Sequence, residues 1–142
     1  MIEKNQLIES ITGEVDNLGY TIWDISIKGN GPNLKFTVFL DGSVSIKDCV
    51  DVSRSLMNSS IRNILEKGLL EVSSPGVEPV LRKTKHFQRW FGKEIVFKMK
   101  NGSKAFFGVL RDFKNCLVVE MKNGIFYVPF ELVKNVTGVN RS

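Results

Sequence analysis

Between residues 94 and 139 the chain is cut into short alternating apolar segments with a turn after each. EIVFKMK is closed by Asn101-Gly102, a strong hairpin signal. KAFFGVLRDF and CLVVEM follow, then a turn at Lys122-Asn123-Gly124, then IFYVPF and VKNVTGV. None of these segments is long enough for a packed helix, and alternation is the strand period. Five short strands in about fifty residues predict a small all-β barrel of the SH3 or Sm type. Gly108, inside the second of them, suits the bend or bulge that closes such a barrel.

The first half has a different rhythm. Leu7, Ile8, Ile11, Val15 and Leu18 recur at helical spacing and Gly19 stops them, so residues 2–18 are expected as an amphipathic helix. In TIWDISIK, Trp23, Ile25 and Ile27 alternate on one face. After a GNGPN turn at 29–33, Leu34, Phe36, Val38 and Leu40 do the same, which predicts a hairpin. Ser45 and Asp48 have capping-box spacing. Behind them Ile46, Cys49, Val50, Ser53, Leu56, Met57, Ile61 and Ile64 trace one stripe, giving a helix over about 46–66, ended by Lys67-Gly68. LLEVSS at 69–74 is a third strand. The half therefore reads as an α+β domain of order α-β-β-α-β.

The boundary falls in SSPGVEPVLRKTKHFQRWFGK, residues 73–93. We expect an α+β domain over 1–81, a basic linker with a short helix over 82–92, and the barrel over 93–142. Thr84 is placed to cap the linker helix, with Phe87, Trp90 and Phe91 docking the segment on a domain.

Charge follows the same division. Residues 1–83 hold 9 Lys and Arg against 11 Asp and Glu, whereas residues 84–142 hold 11 against 4, a net −2 followed by +7. A concentrated basic half draws polyanions; the plainer reading is a solvated surface.

The composition narrows the chemistry. The chain has one histidine, His86, and two distant cysteines, Cys49 and Cys116. HExxH, CxxC, GxSxG, GxxxxGK[ST] and GxGxxG are all absent. No catalytic residue, metal ligand or cofactor site is expected, and both cysteines are expected as reduced thiols in the cytoplasm. No apolar run approaches the ~18 residues of a membrane span, and the acidic N-terminal segment lacks the apolar core of a secretory signal.

LGYTIWDISI, SIKDCVDVSRSL, LEVSSPG and the FGKEI that opens the barrel, in this order, resemble the RimP family of ribosome maturation factors. DCVDVSR at 48–54 and LEVSSPG at 70–76 are the most specific pieces. The resemblance implies an N-terminal α+β domain, a C-terminal SH3/Sm-like barrel, and a non-catalytic cytoplasmic factor that binds the small ribosomal subunit. It also implies contact with ribosomal RNA and with a small-subunit ribosomal protein. Two departures stand out. After SSPG the family usually has an apolar residue, an acid and Arg-Pro-Leu, where this chain has Val77, Glu78, Pro79, Val80 and Leu81. His86 stands where an Asp is common.

For RNA the candidates are Lys83, Lys85, Arg89, Lys93, Lys98, Lys100, Lys104, Arg111 and Lys114, with Lys104 joining Lys98 and Lys100 across a hairpin. For a basic ribosomal protein they are Asp41, Asp48, Asp51 and Glu71. Asp48 also has a simpler role at its helix start. Arg54 either pairs with Asp51 or Asp24 or reaches the SSPG turn. Ser73, Ser74, Pro75 and Gly76 form the inter-domain turn, set by geometry or offering amides to phosphate. The competing reading is an Sm-like RNA-binding regulator not tied to the ribosome. Such proteins form rings, whereas the assembly factor is expected as a monomer.

Overall fold

A computed structural model describes residues 3–140, and the backbone divides into two compact units between Pro75 and Gly76. Ile2, the expected first residue of the leading helix, lies outside the described residues.

In the first unit, α1 (Lys4–Asn17) starts where the Gln6 side chain accepts the Glu3 N–H, and it ends at Gly19 with φ +88°. Leu7, Ile11 and Val15 are its buried stripe. β1 (Ile22–Lys28) pairs antiparallel with β2 (Lys35–Leu40), and β3 (Leu69–Ser73) pairs parallel with β2, in the order β1-β2-β3. Phe36, Val38 and Leu40 lie in the core, as alternation predicts. Trp23 does not share a face with Ile25 and Ile27 as expected. The register slips between Ile22 and Asp24, and Ile22 takes the core position instead. One extra residue in a strand reverses the alternation beyond it.

The single helix expected over 46–66 is two: α2 (Ile46–Met57) and α3 (Arg62–Leu65). The Ser59 hydroxyl donates to the Leu56 carbonyl and accepts the Ile61 N–H, so the Asn58-Ser59-Ser60 run bends the chain. The expected single stripe also splits. Val52 and Leu56 are fully buried, whereas Ile46 is 85% and Val50 40% exposed.

In the second unit five strands form one antiparallel sheet: β4 (Glu94–Met99), β5 (Ala105–Phe113), β6 (Cys116–Met121), β7 (Gly124–Pro129) and β8 (Val133–Gly138). Their order is β7-β6-β5-β4-β8. Among the described residues β7 and β8 stand at the two ends of this strand order. Leu81, expected in the first domain, donates its N–H to the Val136 carbonyl, and the Gly138 N–H donates to Pro79, so residues 79–81 line β8.

Gly108 carries no bulge. It sits opposite Ile95 in regular pairing, and the bulge lies between Leu110 and Asp112. Gly108 is required by close approach: a Cβ there would lie 2.4 Å from Val119 Cγ1 and 2.8 Å from the Glu120 carbonyl oxygen. The loop joining β4 to β5 spans residues 100–104, longer than a two-residue Asn-Gly turn.

Between the units' strands lies α4 (Thr84–Arg89) in sequence, whose N-cap is Lys83 and not the expected Thr84. His86, completely buried, accepts the backbone N–H groups of Arg82 (3.0 Å) and Lys83 (3.2 Å) at Nδ1. The resemblance puts an Asp at this position, and a carboxylate at the third helical residue accepts the same orphan N–H groups. Phe87 stacks on Phe113 with ring centroids 4.0 Å apart, and Phe130 meets both rings edge-on. The Trp90 ring lies against Gly138. These contacts dock the segment on the second unit's sheet.

Candidate nucleic-acid interface

Counted by the observed units, residues 1–75 hold 7 Lys and Arg against 10 Asp and Glu, and residues 76–142 hold 13 against 5. The net charges are −3 and +8, so the structural division sharpens the asymmetry. All nine basic candidates are exposed.

Strand register sorts the nine into two groups. In β4, Ile95 and Phe97 are buried and Lys98 points outward opposite Ala105. Lys100 and Lys104 lie in the loop beyond, so Lys98, Lys100 and Lys104 meet at one end of the β4–β5 ribbon. Lys104 Nζ stands 5.5 Å from the Phe106 ring centre. At the other end, Lys93 accepts the Leu110 N–H at its carbonyl. α4, with Lys85 and Arg89, packs by Phe87 on Phe113, next to Lys114. Lys83 caps that helix. Arg111 faces outward and binds Glu120 at 2.8 Å. Arg111 lies six strand steps beyond Ala105, about 20 Å at the usual strand rise. The structure thus makes two basic clusters joined by one ribbon.

Phe107, half exposed, sits opposite Val96 on the outer face that also carries Lys98. Alternation alone left its face open, because Gly108 and the nearby bulge disturb β5. Ile125, Phe126 and Tyr127 are all exposed on β7, where an edge strand shows both faces to solvent. A run of consecutive apolar residues after Gly124 is the sequence signal for them.

In the first unit each acidic candidate has an internal partner. Ser45 Oγ accepts the Asp48 N–H (3.1 Å), and the Asp48 carboxylate accepts the Ser45 N–H (2.8 Å) and the Tyr20 hydroxyl. Asp51 pairs with Lys47 at 3.0 Å and Glu71 with Lys35 at 3.6 Å. Asp41, in the loop after β2, donates its N–H to the Thr21 carbonyl. Asp41, Asp48 and Asp51 thus cluster around the start of α2, while Glu71 stands on the strand face with Lys35. Arg54 makes no ion pair among the described residues; Asp51 is held by Lys47, and Asp24 accepts the Ile25 N–H. Arg54 lines the same groove as Ser73 and Ser74. The inter-domain turn is geometric in part: Gly76 has φ +87° and the Ser73 hydroxyl donates to the Ser74 carbonyl.

The Tyr20–Asp48 bond has a pH signature. The Ser45 backbone N–H, followed by the Tyr20 and Ser45 hydroxyls, holds the Asp48 carboxyl below its usual range. Accepting that proton pushes the Tyr20 phenol up from 10.0 to about 12. A depressed carboxyl stabilises the fold above its unfolded pKa and loses that contribution as pH falls through the lowered value. A raised phenol contributes fully below 10 and loses its contribution as pH rises towards 12. In a Tyr127→Phe background, ultraviolet titration should show the one remaining phenol ionising near 12. An ordinary tyrosine curve would remove the bond.

The fold and charge define a two-domain protein: an acidic α+β domain followed by a strongly basic antiparallel sheet domain. No helix is long and apolar enough to cross a membrane among the described residues. Residues 10–78 match the family model described as the RimP N-terminal domain. The match lies almost wholly within the first unit and supports assigning the chain to the RimP family, a family of ribosome maturation factors.

Proposed function

We propose that the chain is a non-catalytic, cytoplasmic assembly factor that binds the small ribosomal subunit as a monomer and assists its maturation. The second unit, read as an SH3/Sm-like barrel, contacts ribosomal RNA. The observation that carries this reading is the +8 charge of residues 76–142 set against −3 in residues 1–75. Lys98, Lys100 and Lys104 form one phosphate contact, beside the half-exposed Phe107 on which a base can stack. Lys83, Lys85, Arg89, Lys93, Arg111 and Lys114 form the second. The turn Ser73–Gly76 joins the two binding domains.

The first unit contacts a basic small-subunit ribosomal protein through Asp41, Asp48, Asp51 and Glu71. The Asp51 and Glu71 ion pairs are exposed, and exposed pairs are worth about 0–1 kcal/mol, so exchanging an internal lysine for a partner's is inexpensive. No step makes or breaks a covalent bond, and no cofactor enters. Replacing Lys98, Lys100 and Lys104 together by Gln should weaken binding to small-subunit particles and reduce the slope of log K against log salt by up to about three. An unchanged slope would take this cluster out of the interface.

A further inference from the structure

One apolar surface of the first unit shares only Glu71 with the proposed contacts. A groove of about 570 Å³ runs between α2 and β3, with Ile46, Cys49, Val50 and Ser53 on the helix side and Leu70 and Val72 on the strand side. β3 is the edge of its sheet. Leu69 donates its N–H to the Leu34 carbonyl, towards β2. Strand alternation therefore turns the backbone N–H and C=O groups of Leu70 and Val72 outward, along the groove. Ile46 (85% exposed), Leu69 (63%) and Val50 (40%) are apolar residues left at its rim. β2 and β3 are parallel, so α2 runs back against both of them. The Ser73–Ser74 end of β3 then lies by the start of α2, and Arg54, two turns along, lies towards Leu69.

We propose that this groove binds an extended peptide segment of a partner protein, which adds to β3 as a fourth strand. An edge strand beside a helix is a recurrent design for such binding: backbone bonds hold the peptide, and alternate side chains enter the groove. Apolar residues of the peptide, every second one, rest on Cys49, Val50, Leu70 and Val72. Charge selects the occupant. Glu71 is drawn to Lys35 on the sheet, and Arg54 is the lining cation without an ion pair among the described residues. The peptide therefore carries an Asp, a Glu or a terminal carboxylate at the Arg54 end.

The test uses a phage-displayed library of random heptapeptides panned on the full chain. Enriched clones should alternate apolar and polar residues and carry an acid at one end. Synthetic peptides of the enriched sequence should lose at least about tenfold in affinity for Val50→Glu, which blocks the groove at a half-exposed position, and for Arg54→Glu. Replacing the peptide's acid by Lys should restore binding to Arg54→Glu. Both variants should keep the wild-type unfolding midpoint, as substitutions at exposed positions do. Clones that bind wild type and Val50→Glu equally, or clones without an acid, would overturn the proposal. So would failure to enrich any clone. A wild-type dimer that Val50→Glu converts to monomer would assign the groove to a second copy of this chain instead.

Discussion

Phe87→Ala should destabilise the second unit by about 3–5 kcal/mol, the usual cost of deleting a buried phenyl ring. The ring is completely buried, stacks on Phe113 at 4.0 Å and meets Phe130 edge-on at 5.4 Å. Phe113 and Phe130 also touch each other, so removing Phe87 opens a three-ring cluster and not one pairwise contact. A domain of this size is typically stable by only about 3–10 kcal/mol, so the loss approaches the whole. Trp90, against Gly138 in the same unit, reports the transition when Trp23 is replaced by Phe. Its urea midpoint should fall steeply in Phe87→Ala. A loss under about 1 kcal/mol would mean that α4 is not held by this cluster.

His86→Leu should cost about 2–4 kcal/mol, because two backbone donors, from Arg82 and Lys83, lose the Nδ1 acceptor inside the fold. The same bonds fix the start of α4, where Lys83 and Lys85 sit. Amide hydrogen exchange should therefore quicken at Arg82 and Lys83 first. His86→Asp should cost less, since a carboxylate accepts both N–H groups and suits a helix start. An Asp variant less stable than the Leu variant would show that the imidazole acts through its volume and not through its acceptor.

These effects also show what the sequence could and could not disclose. The order of helices and strands in both units was legible, because the apolar period changes from helical to alternating and Gly or Asn marks each turn. The capping box at Ser45 and Asp48 was legible as spacing alone. The bulge at Trp23 was not, since nothing local distinguishes a bulged residue from its neighbours, and it reverses which residue reaches the core. The break at Asn58–Ser60 was hidden by the apolar pattern that continues through Ile61 and Ile64. Gly108 was recognised as special for the wrong reason: the constraint comes from Val119 and Glu120 on the neighbouring strand, which only the paired sheet brings close. The basic candidates were visible by count, but their separation into two clusters depends on strand register. The groove beside β3 was concealed because Ile46 and Val50 share helical spacing with core residues. The sheet edge that leaves them exposed is a property of the whole domain.

The measurement closest to the central claim is cosedimentation of the purified full chain with free small subunits, free large subunits and assembled ribosomes across a salt series. The account predicts comigration with free small subunits, weakening as salt rises, with little on the other particles. Equal comigration with all three would contradict it: the +8 unit would then be a general polyanion surface, and the Sm-like regulator reading would take its place.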